Sequence, residues 1–393
     1  TNTSIPVELY NLFGATFSNT SIPSGLRLIN ASYVNLNFTQ AINATATLGF
    51  DAVRFGRNGA SIITSTEPRL NLSARIVFRQ LTFNSAYSIV DLEDDGSFIT
   101  CPADVCTNIG YSGGTFAFNV SHFTNFSTAE SPDTCRTLTA STTLVGNANS
   151  SGTCFNIVGS DIVLDCAGYT INYSQSVVGF GVNVTLTTNP TVKNCVFVNG
   201  NSLGSQNGIE AANVTAGLFT NNTFRLDSAG AYGINVVSSS GTRIQDNIFD
   251  SNLFSGAGIY VVDLTSNISI RNNSITVSNG NPINVYSRNA PSISGVQTVD
   301  NRINSVSSIA IVYYANGNNS IINNTVTTNN GNGIYMYYTD GNVSGNVVNI
   351  TQQGATAIVL SNSRHIVKDN VVSTRGATSY GLSLLAGSGQ INN

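Results

Sequence analysis

An all-β chain of two parts is predicted: a β-sandwich-like domain over residues 1–130, then a right-handed parallel β-helix of about ten coils over residues 131–393. Three observations predict it. From Cys154 onward, small apolar clusters recur at a period near 24 residues, the mark of a stacked repeat. Within each unit the apolar residues alternate over short runs only, as in Gly233-Ile-Asn-Val-Val and Gly333-Ile-Tyr-Met-Tyr, which is strand spacing and too short for helices. Clusters of Gly, Asn and Ser separate these runs and supply the left-handed backbone conformations that sharp corners need.

The first 130 residues hold alternating segments such as Arg75-Ile-Val-Phe-Arg, Ser88-Ile-Val-Asp-Leu and Thr115-Phe-Ala-Phe-Asn-Val, separated by turn clusters. That rhythm suits a β-sandwich. Ser131-Pro132-Asp133 reads as an exposed turn and marks the boundary.

In the repeats, Phe155, Val182, Ile209, Ile234, Ile259, Ile283, Ile311, Ile334, Ile358 and Leu382 fall into one column, at steps of 27, 27, 25, 25, 24, 28, 23, 24 and 24 residues. A second column holds Asn194, Asn222, Asn247, Asn273, Asn301, Asn324, Asn346 and Asn370. A buried carboxamide can bond its equivalents one coil above and below, so this column is expected to stack as a ladder. Leucine-rich and ankyrin repeats have similar lengths, but their Leu-rich frame and helical half are missing.

Polarity here is carried by 53 Asn, 47 Ser and 41 Thr; the chain has 16 basic and 20 acidic residues and a net charge of −4. That offers no field for a nucleic acid. No apolar run approaches the roughly 18 residues needed to span a bilayer. The chain begins at Thr1 without Met, so an exported, processed protein is expected.

Six cysteines in no metal-ligand pattern agree with an oxidising compartment. Cys101 and Cys106 could close a small loop around Pro102. Cys166 and Cys195 hold nearly equivalent positions in successive units, within reach of a disulfide, which leaves Cys135 with Cys154.

Nineteen Asn-x-Ser/Thr sequons are present, at Asn2, Asn19, Asn30, Asn37, Asn43, Asn71, Asn119, Asn125, Asn149, Asn172, Asn183, Asn213, Asn221, Asn267, Asn272, Asn318, Asn323, Asn342 and Asn349. Chance placement would give about 12. Covalent N-glycans are therefore expected on several. In Asn221-Asn222-Thr, Asn272-Asn273-Ser and Asn323-Asn324-Thr the first asparagine should face solvent if the second is in the ladder.

The stretch Cys135-Arg-Thr-Leu-Thr, with Gly152-Thr-Cys-Phe-Asn-Ile and Ile162-Val-Leu-Asp-Cys-Ala-Gly-Tyr-Thr-Ile, resembles the opening coils of right-handed β-helix proteins of archaeal cell surfaces, which belong to the pectin-lyase-like group. Phe118-Asn-Val-Ser-His-Phe-Thr resembles the closing strand of small β-domains that accompany such helices. The resemblance implies the fold and carries function only weakly.

Enzymes of that group use clustered carboxylates or bound calcium. The repeat acids here, Asp161, Asp165, Glu210, Asp227, Asp246, Asp250, Asp263, Asp300, Asp340 and Asp369, read as dispersed. Asp246 with Asp250 comes nearest to a pair, and the Asp246 column is expected to repeat as an acid only near Asp369. Asp91, Glu93, Asp94 and Asp95 could form a calcium loop, or with Gly96 an ordinary turn. His122 and His365 lack companions at ligand spacing. No catalytic residue, metal or cofactor is expected. Tyr313-Tyr314, Tyr335 and Tyr337-Tyr338 align as an aromatic strip that suits a sugar platform, a subunit contact or plain stacking.

The function expected from the sequence is a non-enzymatic subunit of a glycosylated extracellular or cell-surface filament, a homopolymer joined head to tail. In that picture residues 1–130, or Ile5 to Phe17 within them, cover the open edge of the final coil, Tyr380 to Leu385, of the next copy. The alternatives are a carbohydrate-binding or carbohydrate-cleaving pectin-lyase-like protein, and an adhesin or viral spike.

Overall fold

The computed structural model describes residues 8–10, 16–17, 20–22, 26–30, 32–44, 48–83, 85–200, 206–226, 230–254, 257–287, 293–315, 317–352, 354–362, 364–375, 378–385 and 390–391. The chain divides into two compact units, Thr1–Thr134 and Cys135–Asn393.

In the first unit two sheets enclose one core. The larger has six strands, in the spatial order Glu8–Tyr10, Arg27–Asn30, Val34–Phe38, Ala74–Phe78, Thr115–Val120 and Cys106–Ser112. The smaller has five: Ile99–Thr100, Ala86–Asp91, Asn125–Glu130, Gly59–Ile62 and Val53–Phe55. Pairing is antiparallel except between Glu8–Tyr10 and Arg27–Asn30. Period-two alternation sends Phe38, Phe78, Phe116, Phe118 and Phe126 inward. Phe118 and Phe126, from opposite sheets, meet edge to face at 6.1 Å. The strand of Glu8–Tyr10, within the segment expected to cap a neighbouring copy, is used in its own unit.

The second unit is a parallel β-helix. Among the described residues its three sheets have 11, 11 and 10 strands, and neighbours within a sheet are three strands apart in the chain. Each coil thus gives one strand to each sheet. The first sheet runs from Thr137–Leu138 to Tyr380–Leu385, the second from Thr142–Thr143 to Gln390–Ile391, and the third from Ala148–Asn149 to Val371–Thr374. The column Phe155 to Leu382 is paired register by register down the first sheet. Its members up to Ile358 are at most 1 % exposed, and each such side chain stabilises the fold by roughly 1.5–3 kcal/mol.

The third sheet adds an inward stack. Phe197, Phe224 and Phe249 lie face to face at 4.8 and 4.6 Å. Glycine precedes the apolar column of the first sheet to make room for them: a Cβ on Gly233 would fall 2.5 Å from the Phe249 ring, and one on Gly208 would fall 2.6 Å from Phe224.

At the corner between the second and third sheets stands the asparagine ladder. Nδ2 of Asn222, Asn247, Asn273, Asn301, Asn324 and Asn346 each donates to Oδ1 of the next member, ending at Asn370, over 2.9–3.1 Å. Asn194 is not in it. Its side chain points outward to Asp165, and Cys195 holds the ladder position, donating its backbone N–H to Asn222 Oδ1 at 3.0 Å. The Cys166–Cys195 disulfide, Cα–Cα 4.7 Å, takes over where the ladder stops.

Candidate functional site: the outer face of the first sheet

The residue after each apolar-column member points outward, because strand side chains alternate. Down the first sheet this second column reads Asn156, Asn183, Glu210, Asn235, Tyr260, Asn284, Val312 and Tyr335. Two residues further along each strand, Tyr286, Tyr314 and Tyr337 stand in register on successive coils. One end of the face is therefore amide-rich and carries a carboxyl group; the other is aromatic.

Glu210 organises the amide end. Asn235 Nδ2 donates to Oε1 at 3.1 Å and to Oε2 at 2.9 Å, and Asn207 Nδ2 donates to Oε2 at 2.6 Å. Burial raises the Glu210 pKa above the ordinary carboxylate value, and the two amide donors pull the other way. On the neighbouring coils Asn183 Nδ2 donates to Asn156 Oδ1 at 3.2 Å. Glu210 was one of the acids expected to be dispersed; its position directly after Ile209 was the signal that it lay on this face beside Asn235.

At the aromatic end Tyr286 stacks on Tyr314 at 5.3 Å and Tyr314 on Tyr337 at 4.9 Å. Tyr338 leans edge-on against Tyr337 at 4.0 Å. Tyr314 and Tyr338 are 36 % and 46 % exposed. Tyr313 does not join the strip. It points into the core, fully buried, with its hydroxyl 2.9 Å from that of Thr298, because it lies two residues after inward Ile311. Tyr286, missed by the sequence reading, replaces it.

The other expected positions fall elsewhere. The Asp91 carboxylate accepts the backbone N–H groups of Asp95 and Gly96 and the Asn125 amide. Asp250 lies on the third sheet and Asp246 on a corner, where it accepts from Asn272; they form no pair. The Asp246 column contains Asp300 as well as Asp369, all left-handed corner residues. His122 Nδ1 is 3.0 Å from Ser121 Oγ, and His365 is buried. Disulfides join Cys101 to Cys106, Cys135 to Cys154 and Cys166 to Cys195.

Of the sequon asparagines, Asn2 and Asn19 lie outside the described residues. Asn37, Asn43, Asn119, Asn125, Asn149, Asn172, Asn183, Asn318, Asn342 and Asn349 lie on strands. Asn213, Asn221, Asn267, Asn272 and Asn323 hold left-handed corners. Asn30 and Asn71 use Oδ1 to accept the N–H groups of Ser32 and Phe123. Among the described residues no helix is long and apolar enough to cross a membrane.

Solved structures similar to this chain include three β-helix proteins. The A-module of the Azotobacter vinelandii mannuronan C-5 epimerase AlgE4 is 13 % identical, with a TM-score of 0.40, over 67 % of this chain and 87 % of that one. The catalytic domain of a GH87 alpha-1,3-glucanase is 10 % identical, with a TM-score of 0.33, over 79 % and 90 %. The tailspike protein gp49 of Pseudomonas phage LKA1 is 10 % identical, with a TM-score of 0.26, over 86 % and 60 %. No curated protein matches the chain in sequence. The expectation of a non-enzymatic protein is not upheld: an epimerase module and a glucanase catalytic domain are among these similar structures. The family model for the right handed beta helix region matches residues 141–298 and 232–393, and the chain belongs to that family.

Proposed function

We propose that this is a carbohydrate-active protein that holds an extended glycan along the outer face of its first sheet. The observation that carries this reading is the register stack Tyr286–Tyr314–Tyr337 on the same face as the amide-held carboxyl of Glu210. Aromatic faces suit the apolar faces of sugar rings, and amide and carboxyl groups suit their hydroxyls. From Glu210 to Tyr335 the face runs five coils, about 24 Å at the strand spacing, long enough for a chain of several sugar units. With its raised pKa, Glu210 is the group on this face suited to give or take a proton during chemistry on a bound glycan.

The setting proposed is extracellular. Three disulfides support it, since such bonds persist in oxidising compartments. Affinity electrophoresis through gels containing a neutral glucan or a uronic-acid polymer tests the reading. Retardation by at least one polymer, weakened tenfold or more in Tyr314→Ala, is expected. Unretarded migration in every gel would contradict it. A filament subunit joined head to tail is a second reading. Sedimentation that stays monomeric at high concentration would exclude it.

A further inference from the structure

Independently of ligand recognition, we propose that one corner of the β-helix carries N-linked oligosaccharides in single file, on Asn221, Asn272 and Asn323. All three sit in the column just outside the asparagine ladder, in left-handed conformation at φ of 55°, 54° and 55°. Asp246 and Asp300 hold the same corner on the coils between them, at φ of 59° and 57°. The attachment points are therefore two coils apart, about 10 Å.

Each is exposed, whereas the residue that follows it is a ladder asparagine at most 1 % exposed: Asn222, Asn273 or Asn324. The third sequon residue, Thr223, Ser274 or Thr325, opens a third-sheet strand and is not buried. The left-handed turn directs the first carboxamide to solvent while the ladder takes the second. Among the described residues, Nδ2 of Asn221 and of Asn323 donates no hydrogen bond. Nδ2 of Asn272 gives one hydrogen to Asp246 Oδ1 at 2.6 Å and has a second to lose. Gly345 on the next coil leaves room for the Asn323 carboxamide, since a Cβ there would fall 2.2 Å from Asn323 Oδ1.

The donor would be an oligosaccharide activated as a phosphate ester at C1. The amide nitrogen forms a bond to C1, the C1–O bond to the phosphate breaks and its electrons leave with the phosphate, and the nitrogen gives up one proton. Asn183 provides the contrast. It is half-buried on a strand within a sheet face, and it should stay unmodified.

The test is glycopeptide mass spectrometry of the full chain secreted from a eukaryotic host. Sugar on Asn221, Asn272 and Asn323, and none on Asn183, is expected. A triple Asn221→Gln, Asn272→Gln, Asn323→Gln chain should lose three glycans. Should that variant fail to be secreted, Thr223→Ala, Ser274→Ala and Thr325→Ala remove the acceptor signal with the corner asparagines in place and should lose the same three. Unmodified peptides at all three positions in the folded, secreted chain would overturn the proposal.

Discussion

Asn273 makes plain what one ladder position does. Its Oδ1 accepts the backbone N–H and the Nδ2 of Asn247, while its own Nδ2 bonds Asn301 Oδ1 and the carbonyl of Ile244, all within 3.0 Å. Asn273→Ala would strand at least two buried partners at about 1–3 kcal/mol each, so a loss of ~3 kcal/mol or more is expected in urea unfolding. A loss below ~1 kcal/mol would count against the ladder. Glu210 makes a pH prediction. A carboxyl whose folded pKa is raised contributes stability that is full below its unfolded pKa and lost as pH rises through the folded one. Glu210→Gln should flatten the melting temperature above the ordinary carboxylate range, whereas wild type should decline there.

The two adjacent tyrosines show what was legible at this scale. Ile311 was placed in the apolar column from sequence, and period two then puts Tyr313 inside and Tyr314 outside its strand. Treating Tyr313-Tyr314 as one cluster discarded that parity. The loop residue Asn207, by contrast, had no periodic signal to tie it to Glu210, since its position follows from the path of a coil.

Among the elements, the repeating Gly-Ile start of the first-sheet strands is fixed by a neighbouring sheet. Gly233 lies under the Phe249 ring, so Gly233→Ala forces overpacking that typically costs 1–3 kcal/mol. Chemical denaturation should show it, and Gly233→Ala paired with Phe249→Leu should recover part of the loss. The first apolar column was readable because burial forces the same choice at every coil. The ladder was readable from Asn222 onward for the same reason. Its start was misplaced at Asn194 because several coils carry asparagine at both the corner and the ladder position; the 27-residue step from Cys195 to Asn222, equal to the local repeat, marked the true register. The Cys166–Cys195 bond closes a separation of 29 residues, and Cys166→Ala with Cys195→Ala should cost about 2–4 kcal/mol, read as a lowered urea midpoint.

For the whole molecule, a β-helix turns a short repeat into long columns, so that a residue type repeated in sequence becomes a continuous surface. That is how Tyr286, Tyr314 and Tyr337, 28 and 23 residues apart in sequence, become one stack, and how a single carboxyl comes to lie on the same face, two residues off their column. The low charge that argued against nucleic acid equally suits a face built from amides and phenols. The measurement that tests this most directly is hydroxyl-radical footprinting of the full chain with and without a polysaccharide that retards it. Protection of Tyr286, Tyr314 and Tyr337 together is expected, with Tyr380 on the last first-sheet strand unchanged; labelling of the three tyrosines that is unaltered by bound polysaccharide would contradict a glycan path over this face.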